Sequence, residues 1–215
     1  MIDLHTHTVL SDGAVLPAEL VRHAQIAGYQ AIALTDHVDS GSLEFILKQS
    51  IRLAEKLDSL GQIRVLAGVE ITHMPPALIP EMAREARKLG ARIVVVHGES
   101  PVEPVCPGTN LAALESDVDI LAHPGMITEE EVLLARQKGV CLELSARKGH
   151  SLTNGRVVML ARKHNANLVM NTDAHKPGEL FSPELLRKVG LGAGLTESEF
   201  ERALINSANL VAKRG

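Results

Sequence analysis

Seven short runs rich in β-branched residues alternate with helical stretches along this chain, and six of the seven lead into histidine, aspartate or glutamate side chains able to ligate a metal. The run 2–6 carries His5 and His7, with Asp12 in the turn beyond. The run 31–34 leads to Asp36 and His37, and the run 63–69 ends at Glu70. The run 92–96 leads to His97 and Glu99, and the run 120–122 to His123. The run 140–144 leads to Ser145, Arg147 and Lys148, and the run 167–170 to Asp173 and His175. Alternating βα units imply a parallel sheet. In an open doubly wound sheet, strands far from the switch point cannot reach one crevice. A barrel brings every C-terminal strand end to one face. The pattern therefore predicts an α/β fold of the TIM-like barrel class, with residues 1–215 as a single domain.

The helical segments read as 17–27, 42–60, 78–89, 111–116, 128–138, 154–165, 182–189 and 197–205, with a last turn to Ala212. Leu43, Ile46, Leu47, Ile51, Leu53, Ala54 and Leu57 give the second helix an apolar stripe near period 3.6. Thr128 with Glu131 forms a capping-box pattern. Residues 100–109 make the one long irregular stretch, and loops near that length tend to carry function.

Composition narrows the function. Aromatic residues make up 2% of the chain, with no Trp, which argues against a stacking platform for single strands. A net charge of −4 argues against long nucleic acid as a partner. Cys106 and Cys141 lack metal-knot or disulfide-framework spacing, so both are expected as free thiols in a reducing compartment. No apolar run approaches the ~18 residues of a membrane span, and no signal peptide is apparent, so a cytoplasmic protein with an untrimmed N-terminus is expected.

Ten histidines remain to be explained. In a strand, residues i and i+2 share a face, so His5 and His7 aim two imidazoles at one point. Taken singly, each candidate has a plainer reading: a loop histidine, a Glu70 paired to arginine, an Asp173 capping a helix. Six strand ends on one face change that, because ionisable groups gathered away from water need partners or metal. His23, His73, His150 and His164 fall outside the pattern and are expected at the surface. The donors outnumber the needs of one ion, since a catalytic zinc takes about three protein ligands. Two or three divalent ions would suit hydrolysis at phosphorus, although paired metals also serve amide hydrolysis.

The motifs His5-Thr6-His7 with Ser11-Asp12-Gly13, Thr35-Asp36-His37, Glu70, His97, His123-Pro124 and Asp173-Ala174-His175 resemble those of the polymerase and histidinol phosphatase (PHP) superfamily. The resemblance implies a distorted (β/α)7 barrel, a trinuclear site of Zn, Mn or Fe, and phosphoester hydrolysis by a metal-activated hydroxide. It places His5, His7, Glu70 and Asp173 on a first ion. Glu70, His97 and His123 would hold a second, and Asp12, His37 and His175 a third. The Asp12 position is His in some relatives, and a carboxylate there favours a harder ion such as Mn or Fe. Catalytic roles fall to Glu70, Asp173 and His175, with Arg147 as a bidentate phosphate grip and Lys176 as a second candidate cation. Asp36 would orient an imidazole or cap a helix. Glu143 would face the site, and Glu99 would support it or order the 100–109 loop. The expected substrates are small phosphomonoesters, of which histidinol phosphate is the best known in the family. The short chain lacks the long inserts that would build a pocket for that particular molecule. A nucleotide phosphatase or short-oligonucleotide exonuclease is the first alternative, and a metal-binding but non-catalytic accessory module the second.

Overall fold

The computed structural model describes residues 1–214 and shows a nearly closed barrel of parallel strands wrapped by helices. The strands are β1 (Ile2–Asp3), β2 (Ala31–Leu34), β3 (His37–Val38), β4 (Arg64–Ile71), β5 (Ile93–His97), β6 (Ile120–Ala122), β7 (Cys141–Ser145) and β8 (Leu168–Asn171). Their order is β1-β2-β4-β5-β6-β7-β8, every pair parallel, with β3 continuing β2 along the far half of β4. The helices are α1 (Pro17–Ile26), α2 (Leu43–Asp58), α3 (Ile79–Leu89), α4 (Thr109–Leu114), α5 (Glu129–Lys138), α6 (Asn154–His164), α7 (Pro183–Gly192) and α8 (Glu197–Arg214).

The strands read as continuous apolar runs because parallel strands are covered on both faces. β5, Ile93–His97, is buried at every residue. The period of two splits each strand between two cores. Leu66, Ile93, Val95, Ile120, Ala122, Cys141 and Val169 face inward and pack with Leu210 of α8. Val65, Ala67, Val94, Val96, Leu121 and Leu142 face outward under the helices. The inward face continues upward into polar residues: Glu70 follows Leu66 on β4, His97 follows Val95, Glu143 follows Cys141, and Asn171 follows Val169. One apolar core thus supports a polar mouth at the C-terminal end of the barrel.

Closure between β1 and β8 is light. A single bridge pairs Thr6 with Ala174, reinforced by the His7 amide donating to the Ala174 carbonyl at 2.8 Å. Side chains complete this seam. Asn171 Oδ1 accepts from the Leu4 amide at 2.9 Å, and Asp3 accepts from the Thr172 hydroxyl and amide.

Several boundaries move from the sequence reading. The first strand shortens to Ile2–Asp3 because residues 4–6 bond to side chains and to the seam rather than to a regular ladder. β4 runs on through Glu70 to Ile71, since β3 gives its far half a partner. The last two segments are one uninterrupted helix beyond Glu197, whose buried residues Phe200, Ala203, Ser207 and Leu210 keep a single stripe. Thr128 caps α5 in a complete box with Glu131. Among the described residues, no helix is long and apolar enough to cross a membrane.

Both cysteines are free thiols. Cys141 is buried in the barrel, and burial pushes its thiol up to about 12, whereas Cys106 is exposed. A thiol-reactive chromogenic disulfide is expected to titrate one cysteine in the native protein and both in denaturant; two fast-reacting native thiols would contradict this packing.

Candidate metal centre

Three clusters of donors share the mouth of the barrel, and Glu70 stands between them. In the first, Glu143 Oε2 accepts from His5 Nδ1 at 2.8 Å and from the Asn171 amide at 2.8 Å. That bond fixes the ring and turns His5 Nε2 inward, 3.2 Å from Glu70 Oε1 and 3.9 Å from Asp173 Oδ1. His7 Nε2 lies 3.2 Å from Asp173 Oδ1 and 3.6 Å from Glu70 Oε2. Asp173 follows β8 with φ +54, a left-handed conformation that aspartate tolerates better than most residues.

The second cluster holds His97 and His123, whose ring centres are 4.4 Å apart. His97 Nδ1 donates to the Gly98 carbonyl at 3.1 Å, which turns Nε2 away from the backbone. His123 Nε2 is 3.6 Å from Glu70 Oε1. In the third cluster, Asp12 Oδ1 is 3.5 Å from His37 Nε2 and 3.2 Å from His175 Nε2. His37 and His175 each stack against the His7 ring, with ring centres 4.1 and 4.2 Å from it and 5.7 Å from each other. Thr72 and Glu70 hold His37 Nδ1 at 2.7 and 2.6 Å. Asp12 alone of these donors is well exposed, so the third cluster is the open rim of the mouth.

The electrostatics of this crowd are opposed. Burial works against charge on His5, but Glu143, Glu70 and Asp173 outweigh it and hold its pKa well above the ordinary imidazole value. Burial, aided by His37, drives His7 well below that value, and burial takes His123 down to about 4. Burial would raise Glu70, yet His5 and His37 pull it well below the usual carboxylate range. Burial lifts Asp173 to about 6.

These residues fit divalent cations. His5 Nε2, His7 Nε2, Glu70 Oε1 and Asp173 Oδ1 are buried and make no hydrogen bond among the described residues. Orphaning such atoms costs about 1–3 kcal/mol each, and all four point to shared space. Ligand-capable atoms of His5, His7 and Glu70 lie within 4.8 Å of one another, as do those of His7, Asp12, His37 and His175. Imidazole and carboxylate together suit Zn, Mn and Fe.

The remaining candidates divide. Arg147 reaches the mouth: Nη1 donates to the Asp173 carbonyl at 3.0 Å and lies against the His175 ring. Lys176 is exposed and turns to Glu179 at 3.5 Å. Glu99 orders the 100–109 loop, accepting from the Gly108 and Asn110 amides at 2.9 and 3.0 Å. Asp36 neither orients an imidazole nor caps a helix. Its carboxylate accepts from the Thr8 amide at 2.7 Å and the Ser11 hydroxyl at 2.8 Å, so it ties down the turn that presents Asp12.

His150 corrects the sequence reading most. It is buried in the mouth, not at the surface, and its ring stacks on His123 at 4.0 Å. Glu103, which the sequence pattern did not single out, places Oε2 3.0 Å from His97 Nε2. His150 lies five residues beyond the end of β7, one turn too late for a search confined to strand ends. His23 and His73 are partly or largely exposed, as expected, and His164 is half-buried beside Glu129.

The sequence model of the PHP domain matches residues 3–161, from the His5-His7 pair into α6. An uncharacterized protein of Methanocaldococcus jannaschii is 48% identical over 99% of this chain and 98% of its own. Ribonuclease P protein component 3 of Methanosarcina barkeri is 30% identical over 94% of this chain and 84% of its own. A probable phosphatase of Clostridium botulinum is 28% identical over 81% of this chain and 79% of its own. Among solved structures, the histidinol phosphate phosphatase of Lactococcus lactis, complexed with zinc, histidinol and phosphate, superposes with a TM-score of 0.64. That superposition covers 91% of this chain and 94% of the other at 15% identity, a likeness of fold. With a barrel of this topology and a match that takes in most of its strands, the chain belongs to the PHP domain family.

Proposed function

We infer that this protein is a metal-dependent phosphoesterase that hydrolyses small phosphomonoesters, with residues 1–215 acting as one PHP-type domain. The observation that carries this reading is the set of inward imidazole and carboxylate atoms that meet at one mouth without hydrogen-bond partners. His5, His7, Glu70 and Asp173 would hold a first ion. Glu70, His97 and His123 would hold a second, and Asp12, His37 and His175 a third. Bound divalent ions supply Lewis acidity toward phosphoryl oxygens and lower the pKa of water. The probable phosphatase relative and the histidinol phosphatase neighbour support the same chemistry.

The chain's own residues prepare the site. Glu143 and the Gly98 carbonyl fix the tautomers of His5 and His97 so that Nε2 faces inward. Arg147 offers a guanidinium edge toward an incoming phosphate, braced by the Asp173 carbonyl and by Glu179 at 3.7 Å. A cavity of about 250 Å³, lined by Arg147, Lys148, Thr172 and Phe181 among others, opens beside it. Its size fits a small leaving group. Arg147→Ala is expected to lower kcat/KM about ten- to hundredfold, the value of one charge-assisted hydrogen bond, while metal content stays the same. An unchanged kcat/KM would remove Arg147 from the substrate's path.

The test of the function is metal analysis of the fresh protein, then phosphate release from histidinol phosphate, nucleoside monophosphates and dinucleotides. Release that stops on chelation is the expected result. The ribonuclease P component relative favours a second reading, an accessory subunit bound to RNA in a larger assembly. Fully metal-loaded protein that releases phosphate from no substrate and binds RNA would establish that reading instead.

A further inference from the structure

Beyond the nine donors already placed at the mouth, six of them imidazoles, the mouth holds a seventh imidazole, His150. The chain leaves β7 at Ser145, where Asn154 Nδ2 braces the turn by donating to the Ser145 carbonyl at 2.9 Å. Gly149, with φ +95, then reverses the backbone against Val102, where an added Cβ would meet Cγ2 at 3.2 Å. This contact joins the loop after β7 to the loop after β5. It delivers His150 into the mouth at 3% exposure.

Both ring nitrogens of His150 then face oxygen atoms. Nδ1 lies 2.6 Å from the Ser100 hydroxyl. Nε2 lies 3.3 Å from Glu103 Oε1 and 3.8 Å from Asp173 Oδ2. Ring nitrogens of His97, His123 and His150 come within 4.8 Å of one another. Two donors bound to one ion at about 2.0–2.2 Å stand about 3.0–3.6 Å apart. The His5–Glu70, His7–Asp173 and His175–Asp12 pairs, at 3.2 Å each, have that spacing. So do His97–Glu103 at 3.0 Å and His150–Glu103 at 3.3 Å. A ligating histidine typically has its second nitrogen held by an oxygen, which sets the tautomer. The Ser100 hydroxyl fills that role for His150.

We propose that His150 is a tenth metal-facing residue which, with His97 and His123, forms a three-imidazole seat for one ion, capped by the Glu103 carboxylate from the loop after β5. The proposal rests on the metal-centre reading above and adds to its second ion two donors that lie outside the strand-end pattern. The loop 100–109 thereby becomes part of the site, with Ser100 positioning the ring and Glu103 closing the seat.

The test strips the protein with a chelator, reloads it with Co²⁺ and with Zn²⁺, and compares it with His150→Ala and Ser100→Ala. Ion stoichiometry, chelator-competition affinities and the visible Co²⁺ spectrum are read, with circular dichroism to check folding. His150→Ala is expected to weaken one ion at least about ten- to hundredfold, leave the others unchanged, and alter the Co²⁺ bands. Ser100→Ala is expected to weaken the same ion by a smaller factor. Folded His150→Ala with wild-type affinities and a superimposable Co²⁺ spectrum would overturn the proposal. If His150→Ala does not fold, wild-type affinities and spectrum in Ser100→Ala overturn it equally. Wild-type protein that binds no ion would remove this inference together with the proposed function, whereas metal-dependent phosphate release with an insensitive His150→Ala would remove this inference alone.

Discussion

Glu70→Ala is expected to lower phosphate release by about a thousandfold while the barrel stays folded, since about 4 kcal/mol of transition-state stabilisation corresponds to that factor. The size follows from position. Glu70 stands 3.2 Å from His5, 3.6 Å from His7 and His123, and 2.6 Å from His37, so all three donor clusters meet at one carboxylate. Its removal would take a shared donor from the two ions proposed to meet there and leave the surrounding rings to repel one another when protonated. The fold is expected to survive because the inner core of Leu66, Ile93, Val95 and Ile120 lies below this level and keeps its contacts. Glu70→Gln should behave alike, as an amide cannot supply the negative charge. Ion content and far-ultraviolet circular dichroism separate loss of metal from loss of fold. Full activity in metal-depleted Glu70→Ala would end the metal-dependent reading.

Chelation is expected to lower the melting temperature by about 5–10 °C for each ion that had been present at a hundred times its Kd. Such an ion contributes about 2.7 kcal/mol, and each kcal/mol shifts a chain of this size by about 2–4 °C. The increment should grow with pH. In the stripped protein His5 has a raised pKa, so the stability it gains from Glu143, Glu70 and Asp173 is full below the unfolded value and fades as pH rises. In the loaded protein the same ring must give up its proton to bind, so ion-derived stability fades as pH falls. His7 and His123 are already held neutral by burial and present no such competition. The gap between loaded and stripped melting temperatures is therefore expected to widen from about pH 6 to about pH 8. A constant gap would show that protons on His5, His37 and His97, all three held above the ordinary imidazole value, do not compete with the ions.

Strand ends were legible because a parallel barrel writes itself as apolar runs, and a run's last inward residue is the one free to be polar. Glu70 and His97 stand in that register, while His123 and Asp173 follow directly in the turns beyond β6 and β8, both at positive φ. Residues outside that register were harder to place. His150 belongs to a short turn after β7, and its burial depends on Gly149 fitting against Val102, a contact between loops that no local pattern announces. Glu103 reads in sequence as one more charged loop residue, yet His150 and His97 hold its carboxyl well below the usual range. Asp36 misled in the opposite sense. Its place beside His37 suggests a partner for an imidazole, but the backbone turns it toward Thr8 and Ser11 instead. The final helix runs on past residue 205 because Asn206 donates its side-chain amide to the Leu168 carbonyl at 2.8 Å and Ser207 bonds within the helix.

The light seam between β1 and β8 has a consequence for how the molecule comes apart. His5 and His7 enter the mouth from one side of it and Asp173 and His175 from the other, so an ion held by both sides ties together the two ends of the barrel. Such an ion acts as a removable clasp on a very long loop. It binds the closed barrel and not the unfolded chain, so it holds the seam shut by mass action. Opening of the loaded barrel should therefore begin elsewhere than at its termini, whereas in the stripped barrel the first strand is the natural place for the chain to peel away.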